Sequence, residues 1–290
     1  MKPFILFLNI IEFICYVAGL IPPFYLFPPP TKRCFCGISN ENRTRDYEFL
    51  KIIGGTVADY HEFPWLVQLQ YRNRTVCGGA IISDLFVLTA AHCYRNDFVQ
   101  TDLKIAVAQH DMCSNNNEVN LLSVNRVVQH EDFDIRTYYA DIMLLKLSMR
   151  LGFNKFIRPI CLPRSRLDLQ GVYYGRRGLI AGWGIYEDES LALSCEPRKV
   201  YVPISSKNQC NATGSVSSIF CAGYIEGGSG FCDGDSGGAF HLKNDYGQYE
   251  FVGIISNSVG CGQPGQPGQY TDVGLFLPWI FKRIYGSRFC

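Results

Sequence analysis

Residues 78–93 read GGAIISDLFVLTAAHC: short apolar runs broken by turn formers, ending in a histidine beside a cysteine. The same habit recurs on both sides. PWLVQLQY (64–71), LKIAVAQHD (103–111), DIMLLKL (141–147), GLIAGWG (178–184), RKVYVPI (198–204) and FVGIISNS (251–258) all follow it. Most are four to eight residues long, rich in Val, Ile, Leu and Phe, and bounded by Gly, Asn, Asp or Pro. Such runs predict strands, and strands following strands predict an all-β barrel or sandwich rather than βαβ units. One late helix is expected in VGLFLPWIFKRIY (273–285), with apolar residues at 276, 277, 280, 281 and 284 and Pro278 in its first turn.

The 290 residues include 27 basic and 26 acidic side chains, a formal net charge of +1. That balance provides no field for a polyanion and argues against nucleic acid as the main partner. Charged residues are 18% and hydrophobic ones 47%, with 28 Gly and 14 Pro spread along the chain, so disorder and coiled coil fit poorly. The length suits one large domain or two small ones. Thirteen cysteines are many for a cytosolic enzyme, and an odd number leaves one to be lost, free or paired elsewhere.

Residues 4–27 are apolar apart from Asn9 and Glu12, behind the single charge of Lys2. A secretory signal and a membrane anchor both begin this way. Glu12 and the pair Pro22-Pro23 favour the signal, and Val17-Ala18-Gly19 offers the cut. Cleavage after Gly19 removes Cys15 and leaves 12 of the 13 cysteines, an even number. Sequons at Asn42, Asn73 and Asn211 fit passage through a secretory pathway. The chain divides into a signal (1–19), a Pro-rich then polar linker or propeptide (20–51) and a domain (52–290).

Three motifs carry chemistry: Thr89-Ala90-Ala91-His92-Cys93, Ala140-Asp141-Ile142-Met143-Leu144-Leu145 and Gly234-Asp235-Ser236-Gly237-Gly238. A serine hydroxyl is a poor nucleophile at neutral pH and needs a base within hydrogen-bond reach. A neutral imidazole serves if a buried carboxylate fixes its tautomer and stabilises the imidazolium that forms. Glycines beside the serine let backbone N–H groups close on a developing oxyanion.

In the order His, Asp, Ser, these motifs resemble the trypsin/chymotrypsin family of serine peptidases over about residues 52–286. The resemblance implies two six-stranded antiparallel β-barrels with the active site between them and a C-terminal helix. It implies Ser236 as nucleophile, His92 as general acid/base, Asp141 as orienter, and the N–H groups of Gly234 and Ser236 as oxyanion hole. The expected reaction is peptide-bond hydrolysis through an acyl-enzyme, with no cofactor. Lys51-Ile52-Ile53-Gly54-Gly55 looks like the family's activation site. Cutting after Lys51 would free the Ile52 ammonium to pair with Asp235.

The resemblance also implies the pairs Cys77–Cys93, Cys210–Cys221, Cys232–Cys261 and Cys36–Cys161, the last tethering the propeptide. A further common bridge is absent at both ends, where Gly178 and Leu242 stand. Cys34, Cys113, Cys195 and Cys290 allow three connectivities, and proximity of loops in the family fold points to Cys113–Cys195 and Cys34–Cys290. No metal is expected, since Gln109 stands where a first acidic calcium ligand would be.

By the same resemblance, the substrate pocket maps to Gly230 at its floor and Phe231 and Gly268 on its walls. Asn257 (in place of a common Trp) and Ser258 (in place of a Gly) line the rail for substrate backbone, and Ser256 is a further substrate-binding residue. No carboxylate stands at either position able to neutralise a buried cation, so cleavage after Lys or Arg is not expected. Phe231 shortens the slot and favours Leu, Met or smaller residues. Expected partners are protein or peptide substrates, an activating trypsin-like protease and macromolecular inhibitors. The alternative function is a secreted, non-catalytic binding module on the same fold.

Overall fold

In the computed structural model, residues 35–41, 55–114, 120–185, 192–210, 217–228 and 230–289 are described. The predicted signal, the Lys51-Ile52 bond, the sequons at Asn42 and Asn211, and Cys34 and Cys290 lie outside them.

Alternation and apolar runs place the first set of strands: β2 (Leu66–Tyr71), β3 (Arg74–Ile81), β4 (Phe86–Thr89), β5 (Leu103–Val107), β6 (Asn120–Gln129) and β7 (Met143–Leu147). They close antiparallel in the order β2-β3-β4-β7-β6-β5. Arg72 and Asn73 turn β2 into β3 with φ of 49° and 63°, the left-handed pair that matches hairpin twist. The Asn73 sequon is therefore at an exposed hairpin tip. Between β3 and β4 the Ser83 hydroxyl accepts the N–H groups of Leu85 (3.2 Å) and Phe86 (3.0 Å), which splits the opening 78–93 stretch into two strands.

A short β1 (Thr56–Val57) adds to a second set: β8 (Arg177–Gly182), β9 (Arg198–Pro203), β10 (Ile219–Ala222), β11 (Ala239–Lys243), β12 (Tyr249–Asn257) and β13 (Gly268–Asp272). Their order is β1-β9-β8-β11-β12-β13-β10, and a bridge between Ile204 and Ala222 joins the ends of β9 and β10. A 3-10 turn (Val273–Phe276) leads into helix α1 (Leu277–Arg283), with Pro278 in its first turn as the sequence predicts.

Trp65, Leu69, Ile81, Leu88, Leu103 and Ile105 fill the first barrel, and Phe220, Phe240, Tyr270 and Ile255 the second; none exceeds 2% exposure. The two are joined through His241. Trp65 Nε1 donates to His241 Nε2 (2.9 Å), so Nδ1 carries the proton donated to the Leu179 carbonyl (2.8 Å). Burial pushes this imidazole down to about 4, so it is neutral at physiological pH.

Five disulfides are formed among the described residues: Cys36–Cys161, Cys77–Cys93, Cys113–Cys195, Cys210–Cys221 and Cys232–Cys261. At Gly178, one end of the bridge that the resemblance marks as absent, the Phe240 ring takes the space. A Cβ there would lie 2.1 Å from it, and Leu242 is buried nearby in the second core.

Residues 35–41 are seated on the domain. Beyond Cys36–Cys161, the Tyr249 N–H donates to the Gly37 carbonyl (2.8 Å) and the Asn40 side chain donates to the carbonyls of His61 (2.8 Å) and Lys155 (2.7 Å). Tyr249 Oη and Lys243 Nζ both donate to Glu41.

Candidate active site

After β4 the chain makes a single 3-10 turn, Ala91–Cys93, which presents His92 at the edge of the first barrel. Asp141, just before β7, has a side chain with no exposure. Its Oδ1 accepts the His92 backbone N–H (2.9 Å), and its Oδ2 meets His92 Nδ1 at 2.8 Å. From β12, the Ser256 hydroxyl donates to the same Oδ2 (2.6 Å); from β13, Thr271 Oγ1 donates to the Asp141 carbonyl (3.0 Å). The carboxyl group is thus desolvated but fully engaged by donors, the condition under which burial of a charge is tolerable.

Ser236 sits in a loop fastened through its backbone to both barrels. The Gly78 N–H donates to the Ser236 carbonyl (2.8 Å), the Gly237 N–H to Ile255 (2.8 Å) and the Gly238 N–H to Asp235 (2.9 Å). Gly237 has φ +80°, and a Cβ there would meet Thr89 Oγ1 at 2.2 Å; only glycine passes between the Ser236 loop and β4. No hydrogen bond joins Ser236 Oγ to His92 Nε2 among the described residues. The structure joins His92 and Asp141 directly and brings the Ser236 backbone beside the Cys77–Cys93 bridge. In ligand-free sites, catalytic hydrogen bonds of this kind are often long and tighten on substrate.

The N–H groups of Gly234 and Ser236 donate to no other group among the described residues. Asp235 between them keeps its carboxyl in the gap left by two glycines of the Gly182-Trp183-Gly184 motif, where a Cβ would lie 2.2 or 2.3 Å from its oxygens. It accepts the N–H groups of Gly184 (2.8 Å) and Cys232 (3.3 Å). Desolvation pushes its carboxyl up to about 6, and no described cation pairs with it.

Gly230, Phe231, Ser258 and Gly268 line one cavity with Tyr270, of about 10 Å³, the space of roughly one water molecule. The Phe231 ring is the reason. It lies across Gly268, where a Cβ would be 2.3 Å from Cε1, and edge-on to Tyr270 at 5.3 Å. The Tyr270 hydroxyl is buried there without a hydrogen-bond partner. Ser256 lies apart from this cavity, on Asp141. Asp233 is exposed and is not among the residues lining this cavity, and Gln109 Oε1 is buried without a partner.

Sequence reasoning missed three contacts. Tyr138, held at φ +56°, faces the His92 ring at 5.8 Å. Thr271 braces Asp141, and Leu193 covers Gly234. Nothing in their local sequence marks them, since each acts by a fold-dependent approach.

Comparison with known proteins agrees with this geometry. A family profile described as Trypsin matches residues 52–280. The proclotting enzyme of Tachypleus tridentatus is 34% identical over 274 residues, 88% of this chain and 70% of that protein. Ovochymase-2 of Mus musculus is 32% identical over 259 residues (81% of this chain, 41% of that protein), and serine protease 56 of Homo sapiens 34% over 286 (94% and 45%). The chain therefore spans less than half the length of the last two. With the profile covering most of its length, the chain belongs to the trypsin family of serine peptidases.

Proposed function

We propose that this chain is a secreted serine endopeptidase made as a zymogen, with residues 1–19 as signal, 20–51 as propeptide and 52–290 as peptidase domain. The observation that carries the reading is the doubly bonded His92–Asp141 pair beside a Ser236 loop whose two neighbouring N–H groups are free. His92 Nε2 takes the Ser236 proton as Oγ attacks the scissile carbonyl. Asp141 holds the ring and offsets the charge of the imidazolium. The N–H groups of Gly234 and Ser236 receive the oxyanion. His92 then protonates the leaving amine, and water resolves the acyl-enzyme by the same route.

Cutting after Lys51 would bring the Ile52 ammonium to Asp235, whose carboxyl is raised by desolvation and gains most from a cation. The pocket favours small apolar residues at P1, because Phe231 leaves about 10 Å³. A pocket without a carboxylate does not suit Lys51, so a separate trypsin-like protease is expected to activate the chain. Purified zymogen is expected to stay intact on incubation, and maturation of wild type but not of Ser236→Ala would contradict this.

The second reading, a non-catalytic homologue, is favoured by the unmade Ser236–His92 bond. A fluorophosphonate reagent on Lys51-cleaved protein decides between them. Labelling that disappears in Ser236→Ala supports the enzyme, and absence of labelling supports the binding module.

A further inference from the structure

Gly234 occupies φ +96° in a slot too narrow for any side chain. A Cβ at this position would lie 2.4 Å from Leu193 Cδ2 and 3.2 Å from Gly184 Cα. Leu193 therefore rests directly on the residue whose N–H is the proposed oxyanion donor. A glycine in this region has neighbouring conformations open to it that would turn its N–H away. Contact on both sides is what denies them.

The segment carrying Leu193 is itself fastened at several points. The Ser194 N–H donates to the Trp183 carbonyl (3.0 Å), and Ser194 Oγ to the Glu196 carbonyl (2.7 Å). The Met112 N–H donates to the Cys195 carbonyl (2.8 Å), and the Cys113–Cys195 disulfide joins the same two loops covalently. His110 Nε2 lies 3.3 Å from Glu196 Oε1, while Trp183 Nε1 donates to the His110 carbonyl (2.9 Å). Trp183 is followed by Gly184, the other wall of the Gly234 slot. Both walls are thus tied to one loop of the first barrel, residues 109–113.

We propose that Leu193 is a positioning residue for the oxyanion hole and that the Cys113–Cys195 disulfide holds it in place. The inference rests on the peptidase reading above. Leu193 touches no reacting atom; it limits the orientations open to the Gly234 peptide. Its removal should weaken stabilisation of the tetrahedral intermediate and leave ground-state binding alone.

The test uses Lys51-cleaved protein, with kcat and KM on a peptide substrate and the affinity of a peptide aldehyde, whose hemiacetal places an oxygen in the hole. Loss of a whole oxyanion donor costs about 10²–10³ in kcat, so Leu193→Ala is expected to cost about tenfold. Aldehyde affinity should fall by a similar factor, KM should hold, and Leu193→Met should restore both. The double variant Cys113→Ser/Cys195→Ser, assayed well below its melting temperature, should show the same kcat-only loss. Unchanged kcat and aldehyde affinity in Leu193→Ala, or a loss confined to KM, overturns the proposal. A wild-type protein that neither labels with fluorophosphonate nor turns over overturns the peptidase reading, and this inference with it.

Discussion

Asp141 has no side-chain exposure, yet three donors converge on its carboxyl oxygens. Replacement by Asn keeps the shape but presents N–H to His92 Nδ1, which forces the wrong tautomer. On the template set by Ser-His-Asp enzymes, Asp141→Asn is expected to lower kcat by about 10⁴, and Ser236→Ala by about 10⁶; steady-state kinetics on the cleaved form measures both. Phe231 makes a prediction of the opposite sign. Trimming it to Val opens the slot over Gly268, so peptide-library profiling should show a shift from Ala-sized toward Leu, Met and Phe at P1. An unchanged profile would falsify the role given to the ring. At this scale the sequence was eloquent about chemistry and silent about shape. His92, Asp141 and Ser236 each stand in a short motif with an evident chemical need. Whether Phe231 shortens the pocket or nearly fills it depends on a ring packing across Gly268, 37 positions away, and no local pattern encodes that.

Among the elements, strands rich in buried apolar residues were readable and the others were not. β4 and β7 present almost unbroken buried runs, whereas in β6 only Val124 is buried. β10 is an exception: wholly buried and four residues long like β4, it stands outside any longer apolar stretch such as 78–93, and β13 has only five residues. The helix was legible because Pro278 and its apolar spacing agreed. The Cys113–Cys195 pairing could not be derived from spacing, since four leftover cysteines allow three connectivities; loop proximity in the family fold supplied it. The 35–41 segment is held by Cys36–Cys161 and by the Glu41 and Asn40 contacts. Protein cut after Lys51 should therefore run as one band on a non-reducing denaturing gel and as two after reduction. Two bands without reductant would show that the tether is not formed.

For the whole molecule, the joint between barrels turns on His241, which bonds Trp65 from one side and Leu179 from the other only while neutral. Its folded value of about 4 lies below the ordinary 6.5, so the unfolded chain takes up the proton first as pH falls. Stability from this group is complete above about 6.5 and drains away down to about 4. Urea midpoints at pH 7, 5.5 and 4.5 should fall in that order, and His241→Gln should flatten the part of the slope that this group supplies. A wild-type slope identical to that of the variant would remove His241 from the account.

The docked segment 35–41 bears on where activity occurs. Because Cys36 is bonded into the domain, the cut proposed after Lys51 would leave the residues before it attached. On the proposed reading, anything those residues bind would stay fixed to the activated chain, whose reach would then be set by the tether rather than by diffusion.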